Sequence, residues 1–159
     1  MAKTIADIME TSIVSVAPHD PMHIVQRLFF ESGIQAAPVM DDQDRLLGII
    51  TSTDVLRAAA ENWNAPTTEP THSDGEVLGS CNWHMQLEEF RERLRDNVVE
   101  DYMTEHVLCV LPETTVADVA RLLRSHRVHH VLVTEGERLC GIASAFDLIA
   151  LIGEPGEHT

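Results

Sequence analysis

A hydroxyl residue followed three positions later by an aspartate occurs directly after an apolar run at two places in the chain. The first pair is Thr51 and Asp54, and the second is Ser144 and Asp147. A carboxylate can accept hydrogen bonds from both hydroxyls of a vicinal diol. Hydroxyl groups and the unpaired amides of a helix N-terminus can bind phosphate oxygens. Each pair therefore has the chemistry to bind a sugar-phosphate where a strand ends and a helix begins.

Apolar residues beside these pairs supply another part of such a site. Ile49 and Ile142 each lie two positions before the hydroxyl residue and directly after a glycine. Apolar strand residues of this kind can contact the face of a purine ring. Because the whole pattern occurs twice, it indicates an internal repeat.

The repeat extends well beyond the two pairs. Residues 5–9 match residues 99–103 at a constant offset of 94 positions. In each unit the apolar periodicity and the turn residues predict the element order β-α-β-β-α. The predicted strands span residues 11–16, 36–40 and 45–50 in the first unit, and 107–111, 128–134 and 138–143 in the second.

Capping residues predict where the helices begin. Asp20 is the expected N-cap of the first helix, with Pro21 at its first helical position. Thr114 or Thr115 is expected to cap the matching helix of the second unit, and Thr53 with Asp54 to cap a helix running to about residue 60. Two such units, each with one uncovered apolar sheet face, are expected to pack face to face.

Composition and charge limit the class of protein. The chain has 159 residues, of which 44% are hydrophobic and 4% aromatic, so the core must be built from aliphatic side chains. This composition favours an α/β (α+β) fold with small, closely packed elements. The formal net charge of −15 predicts repulsion from nucleic acid and from anionic membranes.

The cysteines and the apolar segments bear on the compartment. Cys81, Cys109 and Cys140 are odd in number and widely spaced, which is typical of a reducing cytosol rather than of a disulfide framework. No apolar segment reaches the roughly 20 residues that a membrane-spanning helix needs, and no apolar signal run follows Met1. We therefore expect a cytoplasmic protein without membrane insertion.

The segment between the two units differs from both in composition. Residues 64–79 are rich in Pro, Thr, Ser and Gly, which predicts an exposed linker, and residues 83–94 predict one added helix. The expected organisation is a first repeat at 1–60, a linker with an inserted helix at 61–97, a second repeat at 98–153 and a flexible tail at 154–159.

The paired units resemble a tandem of CBS (cystathionine β-synthase) domains. The resemblance rests on the element order, on the two Gly-apolar-x-[Ser/Thr]-x-x-Asp junctions and on a strand that ends in Pro38-Val39. It covers nearly all of the chain except the linker. The resemblance implies a regulatory module in which two repeats form a disc with two clefts related by a pseudo-twofold axis. It further implies that discs pair as a homodimer and that the clefts bind AMP, ADP, ATP or S-adenosylmethionine.

The resemblance assigns residues to the first cleft by position. It implies that Asp54 binds the ribose hydroxyls, that Thr51 and Thr53 lie near phosphate and that Ile49 contacts the base. The opposite repeat is expected to line this cleft with a further set of apolar side chains. That set consists of Val107, Leu108 and Val128.

The second cleft is assigned in the same way. Asp147 is expected at the ribose, Ser144 on the phosphate side and Ile142 against the base. Phe146 stands where the family pattern has a second hydroxyl, so the cleft of Asp54 is the one in which a nucleotide is more expected. The remaining residues of the second cleft are expected to be Ile13, Val14 and Ile34 on its wall, and His129 and His130 facing phosphate.

Each of these residue types also has a structural interpretation. Asp54 and Asp147 could act as helix N-caps, which is the commonest role of aspartate at such a position. The histidines near residue 130 could ligate a metal, but neighbouring residues of a strand point to opposite faces. His72, Cys81 and His84 fit no common zinc spacing.

The sequence favours a sensor over an enzyme. It contains no GxSxG, HExxH or P-loop motif and no cysteine placed with a histidine, so we expect no catalysis and no required cofactor. The leading hypothesis is an energy-sensing, adenine-nucleotide-binding module that acts through an unidentified regulated protein. The alternative is a protein-interaction scaffold with degenerate clefts.

Overall fold

The computed structural model describes residues 2–61 and 83–153, and it contains five helices and five strands within those ranges. The first unit and the inserted helix comprise α1 (Met22–Ser32), β1 (Ala36–Met40), β2 (Leu46–Thr51), α2 (Ser52–Glu61) and α3 (Trp83–Arg93). The second unit comprises β3 (Cys109–Val110), α4 (Val116–His126), β4 (His130–Glu135), β5 (Arg138–Ser144) and α5 (Ala145–Gly153). Short 3-10 turns occur at Ile5–Asp7 and Val99–Asp101.

The strands form two small sheets, one in each unit. β1 and β2 are an antiparallel pair, whereas β4 pairs parallel with β3 and antiparallel with β5. The predicted strand at residues 11–16 is wrong except at its end, where Val16 forms a single parallel bridge with Val39. Of residues 11–16 only Val16 is buried. The other five residues therefore have no core contact within the described residues that would keep them extended beside β1.

The predicted helix starts were right at Thr115 and wrong at Asp20 and Thr53. α2 already begins at Ser52, so Thr53 and Asp54 lie within its first turn. The hydroxyl of Thr115 accepts a hydrogen bond from the Asp118 amide at 3.2 Å, which confirms a cap there. Asp20 does not cap α1, because its carboxylate accepts from the Ala17 amide at 2.8 Å and the helix begins at Met22. The Met22 amide instead donates to the Asn97 carbonyl at 2.8 Å.

The two units exchange the segments that precede them. Thr4 and Glu10 bridge to Thr115 and Ile142 of the second unit, and Ile5 is fully buried in its core. Reciprocally, residues 98–104 bridge to the first unit at Pro21 and Ile49 and contribute to its core. Each unit is therefore completed by the segment that precedes the other unit in sequence.

A small apolar cluster joins the two sheets. It is formed by Ala36 and Ile49 of the first unit and by Leu132 of the second. Leu132 occupies the place of Pro38 in the repeat and is fully buried. The expected packing of the two units against each other is confirmed, and the strand-to-helix junctions lie at the ends of the strands that meet there.

The inserted helix predicted at residues 83–94 is confirmed as α3. Phe90 and the fully buried Leu94 pack on the core of the first unit. The predicted linker at 64–79, with His72, lies outside the described residues, as do Cys81 and the tail at 154–159. Among the helices at 2–61 and 83–153, none has the length and apolarity needed to cross a bilayer.

Candidate functional site

The junction between β5 and α5 fixes the orientation of one carboxylate. Ser144 donates to Oδ2 of Asp147 from its backbone nitrogen and from its hydroxyl, and both distances are 2.7 Å. The Asp147 amide donates back to the Ser144 hydroxyl at 3.3 Å. These contacts make a reciprocal capping box at the start of α5. Within the described part of the chain, Oδ1 of Asp147 has no hydrogen-bond or ion-pair partner.

Asp147 lines a cleft of about 590 Å³ that is formed by both units. One wall comes from the residues between α1 and β1, and the other from β5, α5 and the segment before β4. Six of the predicted site residues meet in this cleft, and they come from both repeats. They are Ile34, His129, His130, Ile142, Ser144 and Asp147.

The charged side chains of this cleft are few and mostly negative. Its carboxylates are those of Asp147 and Glu10, and neither Arg nor Lys is among the described residues that line it. Burial lowers the pKa of His130, the charge of His129 lowers it further, and the carboxylate of Asp147 acts in the opposite direction. The cleft therefore offers hydrogen-bond acceptors and neutral imidazole rather than fixed cations.

Sequence reasoning missed several residues of the cleft. Glu10 reaches it because its backbone pairs with Ile142 in both directions, at 2.8 and 3.0 Å. The sequence contained a signal for this contact, because residues 5–9 repeat residues 99–103, and each of these segments packs on the other unit. Gln35 also lines the cleft, at the position that matches His129 in the repeat. Phe146 also lines the cleft, and 78% of its surface is exposed.

Three predicted residues lie elsewhere. Ile13 and Val14 do not line the cleft of Asp147, and Val14 is 37% exposed. Val128, expected in the cleft of Asp54, lines a second cavity together with helices α4 and α5. Ile34 matches Val128 in the repeat, and both follow a residue with a left-handed backbone, Gly33 and Arg127, so the turn alone does not decide which cavity the next residue lines.

The junction between β2 and α2 begins with the same local geometry. Thr51 donates to Oδ2 of Asp54 from its backbone nitrogen at 2.9 Å and from its hydroxyl at 2.7 Å. Unlike Asp147, Asp54 also has a cation on its other oxygen, because Arg57 lies 3.1 Å from Oδ1. Asp54 is only 7% exposed, and it lines neither the cleft of Asp147 nor the cavity that Val128 lines.

The other residues assigned to the cleft of Asp54 are distributed between the cores and the surface. Ile49 is buried in the cluster that joins the two sheets, and Val107 packs against that cluster. Leu108 packs instead on the core of the second unit. Thr53 is exposed. The geometry therefore favours the cleft of Asp147 as the ligand site. The sequence pattern had favoured the cleft of Asp54.

The hydroxyl-x-x-Asp pattern by itself does not mark a binding site. Thr4 and Thr115 each donate a hydroxyl hydrogen bond to an aspartate three positions later, at 3.1 and 2.6 Å, and both pairs lie at helix starts. Capping is therefore common to all four pairs. What distinguishes Asp147 is that it lines the cleft formed by both units and that its second oxygen has no partner among the described residues. The described residues contain no group of three or more side chains suited to hold a metal ion.

A larger cavity of about 860 Å³ lies beside α4 and α5. Its lining is mostly aliphatic, from residues such as Val116, Leu148 and Ile149, and includes the cationic Arg124 and Arg127. His129, Ala145 and Ile149 line both cavities, so the two spaces share a wall.

Comparisons with known proteins agree with this architecture. The family model described as "CBS domain" matches residues 5–61 and 99–154. The uncharacterized protein MJ1426 of Methanocaldococcus jannaschii is 30% identical over 152 residues, which cover 91% of this chain and 88% of that protein. This chain spans less than half the length of several longer relatives.

Two solved structures share the fold and contain ligands. The CBS domain pair of protein MJ0100, in complex with 5′-methylthioadenosine and S-adenosyl-L-methionine, matches with a TM-score of 0.73 and 19% identity, covering 96% of this chain and 98% of that one. The structure of CBSX2 in complex with AMP matches with a TM-score of 0.68 and 21% identity, covering 96% and 97%. At these identities the likeness concerns the fold.

Proposed function

The chain belongs to the CBS domain family, and we propose that it is a non-catalytic regulatory module that binds an adenosine-containing ligand in the cleft of Asp147. The observation that carries the proposal is that Asp147 lines a cleft of about 590 Å³, while its Oδ1 has no hydrogen-bond or ion-pair partner among the described residues. That volume lies within the usual range of small-ligand sites, roughly 300–1,000 Å³. AMP, 5′-methylthioadenosine and S-adenosyl-L-methionine are bound by proteins of the same fold.

The arrangement of side chains suits the parts of adenosine. Oδ1 of Asp147 accepts hydrogen bonds from the ribose hydroxyls, while Ser144 holds the other carboxylate oxygen in place. Ile34 and Ile142 lie on opposite walls and contact the two faces of the adenine. Such a site is pre-organised, because the capping box fixes the carboxylate before the ligand arrives.

The charge of the cleft selects among adenosine ligands. Glu10 and Asp147 repel a polyphosphate, and the only basic side chains among the described lining residues are His129 and His130. We infer that ligands with little negative charge bind best, so 5′-methylthioadenosine, S-adenosylmethionine and AMP bind more tightly than ADP or ATP.

The position of the cleft connects binding to regulation. Because its walls come from both units, a bound ligand favours one relative pose of the units over others. A partner protein that contacts both units would read that change.

The described Cys109 and Cys140 are free thiols, which supports an assignment to the reducing cytosol.

Calorimetry with matched ligands tests the proposal. AMP and its 2′-deoxy analogue differ only in one hydroxyl that Asp147 would bind. The loss of a hydrogen bond to a charged group weakens binding by about tenfold to a hundredfold, and GMP serves as the control for the base. The absence of saturable binding by AMP, ADP, ATP, S-adenosylmethionine and 5′-methylthioadenosine would overturn the proposal.

We further propose that the module is a homodimer in which a second copy covers the cavity beside α4 and α5. Ile149 is 58% exposed there, and the cationic Arg124 and Arg127 that line the cavity complement the net negative charge of another copy. Substitution of Ala120, which lines this cavity but not the cleft, by glutamate is expected to give a monomer in light scattering. An unchanged mass would contradict this assembly.

The same apolar surface supports the second candidate function, a ligand-independent interaction scaffold. In that case a different protein, rather than a second copy, would cover α4 and α5. Pull-down with and without added AMP separates the two functions. A partner retained equally in both conditions, together with no calorimetric binding of AMP, would favour the scaffold.

A further inference from the structure

In the first unit, Arg57 forms an ion pair with Asp54, the aspartate that matches Asp147 in the repeat. Its guanidinium is 3.1 Å from Oδ1 of Asp54, which is the oxygen that corresponds to the open oxygen of Asp147. The other oxygen of Asp54 already accepts two hydrogen bonds from Thr51. Both oxygens of this carboxylate are therefore engaged by the chain itself.

Arg57 is held in this place by Tyr102, in the segment 98–104 that follows the linker. The same guanidinium nitrogen that contacts Asp54 donates to the Tyr102 carbonyl at 2.6 Å, and the guanidinium carbon lies 5.8 Å from the centre of the Tyr102 ring. An arginine fixed by a carboxylate, a carbonyl and an aromatic ring loses little further freedom.

This ion pair differs from the ordinary surface pairs of the molecule. Arg27 and Glu31 are both more than 60% exposed at the side chain, and such pairs are weak and easily exchanged for water. The Asp54 side chain is only 9% exposed. The Arg57 side chain is 52% exposed, so the pair is half-buried. A sugar that displaced the arginine would have to replace its contact with a carboxylate that is largely out of water.

The second unit has no corresponding group. The position that matches Arg57 in the repeat is Ala150, which is exposed and cannot contact Asp147 with a charge. Both junctions share the two hydrogen bonds from the hydroxyl residue to Oδ2 of the aspartate, but within the described residues only Asp54 has a cation on Oδ1.

We propose that Arg57 closes the first cleft to ribose, so that each chain binds a single adenosine ligand, at Asp147. This inference rests on the proposed function, and it adds which of the two repeat sites is active and which residue decides it. Asp54 then serves as a helix cap and as an anchor for residues 98–104, rather than as a ligand-binding group.

Calorimetry with 5′-methylthioadenosine and with AMP tests the inference on the full chain. Wild type is expected to bind one ligand per chain. The Ala150→Arg variant places the guanidinium on Asp147 and is expected to weaken binding at least tenfold. The Asp147→Asn variant is expected to lose binding, and Asp147→Asn with Arg57→Ala to regain one site, at Asp54.

The outcomes separate this inference from the proposed function. Two ligands per wild-type chain, or wild-type affinity in Ala150→Arg, would overturn the role of Arg57 and leave the proposed function intact. No binding by wild type would overturn both. If Arg57→Ala does not fold, as judged by circular dichroism, Arg57→Gln replaces it, and the result for Ala150→Arg on the exposed face of α5 decides independently.

Discussion

Ser144 donates two hydrogen bonds to the same oxygen of Asp147, from its amide and from its hydroxyl, each at 2.7 Å. This relationship allows one aspartate to cap a helix and to bind a ligand at the same time. Oδ2 accepts both hydrogen bonds from Ser144, and Oδ1 has no partner among the described residues although Asp147 lines the cleft. Capping and recognition are therefore compatible roles, since a carboxylate has two oxygens with separate lone pairs.

Replacing Asp147 is expected to affect both stability and binding. The Asp147→Ala variant loses the capping box, which lowers the free energy of unfolding by about 0.5–2 kcal/mol, and it loses the acceptor for ribose. Asp118→Ala is a matched control, because Asp118 pairs with Thr115 in the same unit but does not line the cleft. Chemical denaturation and calorimetry with AMP check both effects, and equal binding losses in the two variants would contradict this account.

Replacing Glu10 is expected to change ligand preference. Glu10→Gln removes one of two carboxylates from the cleft, so the affinity for ATP rises by about threefold or more at low salt. The affinity for the uncharged 5′-methylthioadenosine changes little. Glu113→Gln, on a residue outside the cleft lining, controls for net charge. A rise of the same size for both ligands would show that Glu10 does not act through charge.

The histidine in the cleft is expected to make stability depend on pH. Burial lowers the pKa of His130 in the folded state, so the unfolded chain takes up this proton more readily. The contribution of His130 to the free energy of unfolding is present above the unfolded pKa of about 6.5, and it falls as the pH drops through that value. Urea unfolding of wild type and His130→Gln at pH 7.5 and pH 5.5 measures it. The stability difference in favour of wild type should shrink at pH 5.5, and a constant or growing difference would contradict the burial of this imidazole.

Two glycines at matching positions are expected to respond differently to a methyl group. A Cβ at Gly48 would lie 2.6 Å from the Thr104 carbonyl oxygen, whereas at Gly141 it would lie 2.5 Å from the Met9 sulfur. A methionine side chain can move, and the nearest backbone atom at Gly141, the Glu10 carbonyl oxygen, would lie 3.0 Å from the added carbon, which is a milder contact than the one at Gly48. The backbone at Thr104 is fixed by two hydrogen bonds to Ile49. Gly48→Ala should therefore destabilise by about 1–3 kcal/mol and Gly141→Ala by less. Thermal unfolding checks the order, and the reverse order would show that residues 98–104 are not packed tightly on β2.

The repeat and the site chemistry could be read from the sequence because they depend on local patterns. The junction at Asp147 needs only the spacing of a hydroxyl, an aspartate and the apolar residues before them. Thr115 was found as a cap for the same reason. These features depend on residues three or four positions apart at the start of a helix, where the sequence spacing determines which side chains can contact each other.

The features that the sequence did not reveal depend on distant parts of the chain. The Met22 amide at the start of α1 donates to the carbonyl of Asn97, more than 70 positions away, and no local pattern predicts that contact. Arg57 and Ala150 are visible at matching positions, but the contact of Arg57 with the Tyr102 carbonyl follows from the exchange of segments between units. Propensity and spacing contain no information about that exchange.

A crystal structure of the chain grown with 5′-methylthioadenosine tests the central claim most directly. This account predicts the ligand in the cleft formed by both units, with its ribose hydroxyls within hydrogen-bond distance of Oδ1 of Asp147 and with Arg57 still on Asp54. A ligand bound at Asp54, or a cleft at Asp147 that stays empty at saturating ligand, would contradict it.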